Sequence, residues 1–169
     1  ITMALTREKK GEVLSKLKDI FGKVSNAVFV NFHGLTVGKT SELRRSLHGE
    51  KVTLYVAKKT LLERALSEAG LAGTMPALDG EIAIAYPADA DSADVTASAR
   101  GVYGFQKKLD GKLSIVGGVF DRAYRDQAGM LEIATIPSTD TLRGMFVNII
   151  NSPIQRFAIA LQAIADKKQ

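Results

Sequence analysis

The chain has 169 residues, 46% of them hydrophobic and 24% charged, which suffices for one domain with a proper core plus an appendage. It contains no cysteine, which excludes disulfides and thiolate-bound zinc and suits a reducing compartment. The net charge of +5 divides as +6 over residues 1–70, −3 over residues 71–136 and +2 over residues 137–169, so the field that would attract a polyanion belongs to the first seventy residues.

Met3-Ala4-Leu5 reads as the natural start, and the residues after it lack the apolar core of a signal peptide. Thr6 can cap a helix that carries Lys9, Lys10, Lys16 and Lys18 outward and Val13, Leu14, Leu17, Ile20 and Phe21 inward. Asn26–Phe32 is a strand by its β-branched and aromatic content. His33-Gly34 turns the chain, and a helix follows over Val37–Leu47 with Leu43 and Leu47 inward and Arg44 and Arg45 outward. Val52–Ala57 is a second strand, and Lys58-Lys59-Thr60 opens a helix bearing Leu61, Leu62, Ala65 and Leu66, stopped by Gly70. Glu81–Tyr86 is a third strand, and Asp91 and Ser92 can cap a helix over residues 93–108. Asp110-Gly111 signals a turn before a strand Leu113–Val116 that ends at Gly117-Gly118. Asp126–Ala134 is a short helix, Ile136-Pro137 a hinge, and Ser138 or Thr139 the cap of a terminal helix. Strands alternating with helices predict an α/β fold, a mixed sheet layered with helices and followed by the hinged amphipathic helix. The domain boundary falls at 136/137.

Both junctions in the basic segment place a basic or small polar cluster where a strand ends and a helix begins. There the free N–H groups of a helix N-terminus can bind phosphate. His33, Gly34 and Thr36 stand at the first junction, Lys58, Lys59 and Thr60 at the second. The two would share one sheet edge if their strands run parallel. Ordinary capping beside solvated lysines is the plainer alternative.

In the terminal helix the only formal charges between Leu142 and Ala165 are Arg143 and Arg156. Leu142, Met145, Phe146, Ile149 and Ile150 follow the spacing of one helix face, and Ile154, Phe157, Leu161 and Ile164 continue it, widened by Val147 and Ile159. Asn148, Asn151, Pro153, Gln155 and Arg156 interrupt the segment, which therefore does not read as a membrane span. A helix this apolar behind a hinge is expected to dock on another chain, the plainer alternative being that it folds back on its own domain. Asn151-Ser152-Pro153 predicts a kink or a fresh start that divides two anchor sets.

Enzyme chemistry lacks a starting constellation. His33 and His48 have no carboxylate at metal-ligand spacing, and no nucleophile elbow, phosphate-binding loop or dinucleotide fingerprint is present. Gly101, Gly104, Gly117 and Gly118 read as turns and close packing. Neither a catalytic residue, a metal site nor a cofactor is expected.

The chain resembles the family of bacterial stalk-base proteins, the tenth protein of the large ribosomal subunit. The likeness rests on Leu5, Thr6, Arg7, Glu8 and Lys10; on Phe32, His33, Gly34, Leu35, Thr36 and Val37; on Leu43 and Arg44; and on Val56, Lys58, Thr60 and Leu61. Ile84-Ala85-Tyr86, Gly117-Gly118 and Ile136-Pro137-Ser138 extend it to most of the chain. Three positions depart from the family pattern: Lys59 replaces an asparagine, His33 a more usual arginine, and Glu81 a frequent proline. The resemblance implies a non-enzymatic ribosomal scaffold in the cytoplasm. Its N-terminal domain would bind large-subunit ribosomal RNA beside the eleventh large-subunit protein, through Arg7, Lys10, His33, Gly34, Thr36, Arg44, Lys58, Lys59 and Thr60. Its terminal helix would carry two dimers of the small acidic stalk protein, which recruit translational GTPases. A ribosome-assembly relative at the same RNA site and a small α/β enzyme with a dimerisation helix are the competing readings.

Overall fold

A computed structural model describes residues 7–88, 94–109 and 112–166. The chain divides into two compact units, residues 1–136 and 137–169. The first unit runs α1 (Arg7–Lys23), β1 (Ala27–Asn31), α2 (Val37–Gly49), β2 (Val52–Val56), α3 (Lys59–Glu68), β3 (Ile82–Pro87), α4 (Ala97–Lys108), β4 (Ser114–Phe120), β5 (Ala123–Arg125) and α5 (Gln127–Thr135). The second unit is α6 (Thr139–Asp166).

The five strands form one sheet in the order β2-β3-β1-β4-β5, and every neighbouring pair is antiparallel. Alternating strand and helix therefore did not produce a parallel sheet. β1 and β3 are central and almost wholly buried, with helices on both faces, whereas β2 and β5 form the edges and are mostly half-buried or exposed. Side chains alternate across β1: Val28 and Val30 join a cluster with Leu43 and Leu47 of α2, Val102 of α4 and Met130 of α5. Phe29 faces the other way, onto Leu17 and Phe21 of α1 and Leu62, Ala65 and Leu66 of α3. The result is three layers, with α1 and α3 on one face and α2, α4 and α5 on the other. Each of the fully buried large side chains, Phe29, Leu17 and Leu43 among them, contributes about 1.5–3 kcal/mol of transfer free energy.

Several expectations need correction. The strand containing Gly117-Gly118 does not end there. It runs through both glycines to Phe120, and a side chain at either position would collide with a neighbour. A Cβ on Gly117 would lie 2.9 Å from the Arg125 carbonyl oxygen and from Pro76 Cγ, and one on Gly118 2.5 Å from the Ala27 carbonyl oxygen. The register also slips beside them: Phe29 pairs with Gly117 and Val30 with Ile115, leaving Val116 as the extra residue of a bulge. β5, too short for a periodic signal, was not anticipated. It closes a two-residue turn in which Asp121 and Arg122 both have positive φ. α4 starts at Ala97 rather than at residue 93, and Asp94 organises its first turn by accepting the Thr96 N–H at 3.2 Å and hydroxyl at 2.9 Å. Thr6, Asp91, Ser92 and Asp110-Gly111 lie outside the described residues.

Of the kink or fresh start expected at Asn151-Ser152-Pro153, the fresh start is not found: α6 is one continuous helix through Pro153. Proline deletes only one i→i−4 donor, the one facing the Ile149 carbonyl, and the turns on either side continue the helix. Ser138 caps it, its hydroxyl lying 3.4 Å from the Thr141 N–H and 2.8 Å from the Thr141 hydroxyl.

Candidate nucleic-acid interface and exposed apolar helix

The two strand-to-helix junctions do meet at one sheet edge, though by a different route from parallel neighbours. β1 and β2 point the same way because each is antiparallel to β3, which lies between them. The last residue of β1, Asn31, pairs with Ile82, and the last of β2, Val56, pairs with Ala83. Both strands therefore end at the start of β3. A shallow groove of about 510 Å³ opens there, lined by Phe32, Lys58, Lys59, Gly80 and Glu81 among others.

The first junction is a tight turn. The Leu35 N–H donates to the Phe32 carbonyl at 3.2 Å, and Gly34, third in the turn, has φ 75°, a value that a side chain makes costly. Thr36 then takes the N-cap position of α2, and Lys58 that of α3; neither caps its helix through its side chain. Among the described residues, no side chain accepts from the first-turn N–H groups of either helix, at the positive ends of the helix dipoles.

Asn31 braces this edge. Its amide nitrogen donates to the Asp79 carbonyl at 3.0 Å, and its amide oxygen accepts the His33 N–H at 3.1 Å. Gly80, at φ 84°, lies so close that a Cβ there would meet the amide nitrogen at 2.7 Å. Sequence reading missed Asn31. Its only local signal is an asparagine at a strand end, and its partner lies 48 residues away. The edge also carries a carboxylate: Glu81 Oε2 lies 4.0 Å from His33 Nδ1, both groups exposed.

α1 approaches the same edge. It shares the sheet face of α3 and leads into the start of β1, so it runs in the direction of α3. Near their far ends Lys18 Nζ meets Glu68 Oε2 at 2.6 Å, and Arg64 Nε lies 3.3 Å from Glu68 Oε1. The Lys18 hydrogen bond, with Arg64 behind it, holds the Glu68 carboxyl below the usual glutamate range. Both helices rise about 1.5 Å per residue, so the level of Lys59 on α3 corresponds to that of Lys9 and Lys10 on α1.

Of the residues singled out from sequence, His33, Gly34, Thr36, Lys58, Lys59 and Thr60 are all exposed at this edge, and Lys10 is exposed on the first turns of α1. Arg7 is the first residue of α1. Arg44 is not brought to the edge: it is exposed midway along α2, roughly 10 Å from that helix's start. Among the described residues no cluster of three or more His, Asp or Glu side chains could hold a metal ion.

α6 has a different character. It spans 28 residues and none of them is buried. Phe146 is 64% exposed, Ile149 70%, Ile154 70% and Phe157 67%, and Leu142, Met145, Ile150, Leu161 and Ile164 are exposed as well. Despite this apolar stripe, no described helix is long and apolar enough to cross a membrane.

A family model described as ribosomal protein L10 matches residues 5–101, the segment that builds the junction edge. The chain belongs to the uL10 family of ribosomal proteins. A second model, the C-terminal region of ribosomal protein uL10, matches residues 136–169 and so takes in the whole of α6. Similar proteins include the large ribosomal subunit protein uL10 of Lactobacillus johnsonii, 36% identical over 90% of this chain and 93% of that protein. Those of Staphylococcus carnosus, at 32% identity over 96% and 95%, and Burkholderia lata, at 34% over 99% and 98%, are alike throughout. The family is a structural component of the large ribosomal subunit and not an enzyme. The enzyme reading with a dimerisation helix is thereby set aside.

Proposed function

We propose that the N-terminal unit of this uL10 chain binds large-subunit ribosomal RNA through the edge where β1 and β2 end. The uncapped N-termini of α2 and α3 would receive phosphates, with His33, Lys58, Lys59 and the first turns of α1, Arg7 and Lys10, supplying charge around them. Gly34, Thr36 and Thr60 allow close backbone approach, and Arg44 is a peripheral contact on the flank of α2. Neighbouring protein at the stalk base would be the eleventh large-subunit protein.

We infer further that α6 anchors dimers of the acidic stalk protein, which recruit translational GTPases. The observation that carries this is an exposed apolar stripe along a 28-residue helix with no buried residue. Helix-in-groove docking uses anchors over about two to three turns. Leu142, Met145, Phe146, Ile149 and Ile150 supply one such set, and Ile154, Phe157, Leu161 and Ile164 a second, with the donor deleted at Pro153 between them. Two dimers fit. A ribosome-assembly relative occupying the same RNA site would not need this helix.

The test is co-expression with the cognate acidic protein followed by native mass spectrometry. Four copies per chain are expected; no association would remove the stalk-anchoring role, and six would show the division into two sets to be wrong.

A further inference from the structure

A second group of lysines reaches the junction edge from the segment where it is least expected. Residues 71–136 carry a net charge of −3, yet Lys107, Lys108 and Lys112 gather at the end of α4 and the entry to β4, all exposed. β4 starts at Ser114, whose register partner is Asn31 at the end of β1. The end of β2, the start of β3, the end of β1 and the start of β4 are therefore consecutive along one edge, a row about 15 Å wide at roughly 4.8 Å per strand. Lys58 and Lys59 flank one end of the row, His33 its middle and Lys112 the other end.

Two further features bear on what the α4 lysines do. Lys107 Nζ sits 4.6 Å from the centre of the Tyr103 ring, and Lys108 Nζ 5.4 Å from that of Phe105. A ring holds an ammonium in place without neutralising it, so part of the ordering cost of binding is met in advance. Among the described residues, no carboxylate forms an ion pair with any of the three. The negative end of the α4 dipole amounts to about half a charge, which a single lysine would offset.

We propose that Lys107, Lys108 and Lys112 form a second phosphate-contacting element of the same edge. One RNA backbone would then be held from both helical layers, by α1 and α3 on one face of the sheet and by the start of α2 and the last turn of α4 on the other. This rests on the RNA-binding reading of the N-terminal unit.

The probe is an in vitro transcript of the large-subunit ribosomal RNA, bound to the full chain across a salt series. Lys107→Ala/Lys108→Ala/Lys112→Ala is expected to lower affinity about tenfold near physiological salt. It should also flatten the slope of log affinity against log salt by roughly two to three units, at about 0.7–0.9 per phosphate contact. Arginine at all three positions should restore both. Lys58→Ala/Lys59→Ala serves as the reference for the parent reading. If that pair loses affinity while the triple variant keeps wild-type affinity and slope, the α4 element is refuted and the RNA reading stands. If the wild-type chain does not bind the transcript, both fall. Lysine acylation of the wild-type chain, read by mass spectrometry, removes any dependence on variant folding. The three amines should react more slowly in the complex, and unchanged rates would refute the proposal.

Discussion

The side-chain carbonyl of Asn31 accepts the backbone N–H of His33 at 3.1 Å. The same side chain donates to the Asp79 carbonyl, so one amide ties together the two loops that bound the candidate RNA edge. Asn31→Ala should lower stability by about 1–2 kcal/mol, the value of two neutral hydrogen bonds in a partly exposed setting. It should lower affinity for the ribosomal RNA transcript as well, because the turn carrying His33 and Gly34 loses its brace. Denaturant titration and filter binding measure the two effects. Stability lost with affinity intact would show that this loop geometry is irrelevant to binding.

Gly34 separates conformation from packing. No atom lies within 4 Å of a Cβ placed there, yet its φ is +75°. The Cβ of Gly34→Val therefore has room, and the left-handed backbone costs about 1–2 kcal/mol. We expect RNA affinity to fall by a larger free energy than stability does, since the valine would also stand where backbone approaches phosphate. Equal losses would mark the glycine as a structural turn only.

Two glycines of the same unit should respond in opposite directions to alanine. A Cβ at Gly118 would sit 2.5 Å from the Ala27 carbonyl oxygen and 2.9 Å from Met130 Cε, whereas one at Gly104 meets nothing within 4 Å. Gly118→Ala should destabilise by about 2–3 kcal/mol through overpacking between β1 and α5. Gly104→Ala, in the exposed interior of α4, should stabilise by about 0.5–1 kcal/mol. Thermal denaturation distinguishes them, and a shared sign would contradict the packing described.

Asp94 links stability to pH. Burial pushes its carboxyl pKa up, but hydrogen bonds from Arg100 and Thr96 outweigh this and hold it below the ordinary aspartate value. Arg100 Nη2 lies 2.7 Å from Asp94 Oδ2. A carboxylate whose folded pKa is depressed contributes stability above its unfolded pKa, near 3.9, and loses it as pH falls through the folded value. Asp94→Asn should therefore cost about 1 kcal/mol at pH 7, with the difference from wild type narrowing below about pH 4. Urea titrations at both pH values test this; a difference independent of pH would reject it.

Phe157 stands at the centre of the second anchor set on α6 and is 67% exposed. Phe157→Asp places a charge where a partner groove would have to close, at a cost that a docking interface cannot offset. Native mass spectrometry of the co-expressed complex should show two copies of the acidic protein instead of four. Four copies on the variant would mean that the two anchor sets are not separate binding segments.

The sequence by itself determined six helices and four of the five strands, though not all their ends, together with the charge asymmetry and the apolar character of α6. These are properties of short windows: the spacing of Leu43 and Leu47, the run of Val28, Phe29 and Val30, the glycine after His33. Tertiary structure decided which strands are neighbours. β3 enters between β1 and β2, so the two junctions share an edge in an antiparallel sheet, and no residue in either junction encodes that insertion. Gly117 and Gly118 looked like a strand end because glycine usually punctuates; the approach of Ala27, Pro76 and Met130, all distant in sequence, makes them strand interior. Asn31 acquires its bracing role only because Asp79 arrives beside it. Lys107, Lys108 and Lys112 reach the basic edge through the pairing of Ser114 with Asn31. Periodicity and capping are written in the order of side chains along a few turns. Strand order and close approach arise from burial and hydrogen bonding between segments tens of residues apart, which leave no periodic trace in either segment.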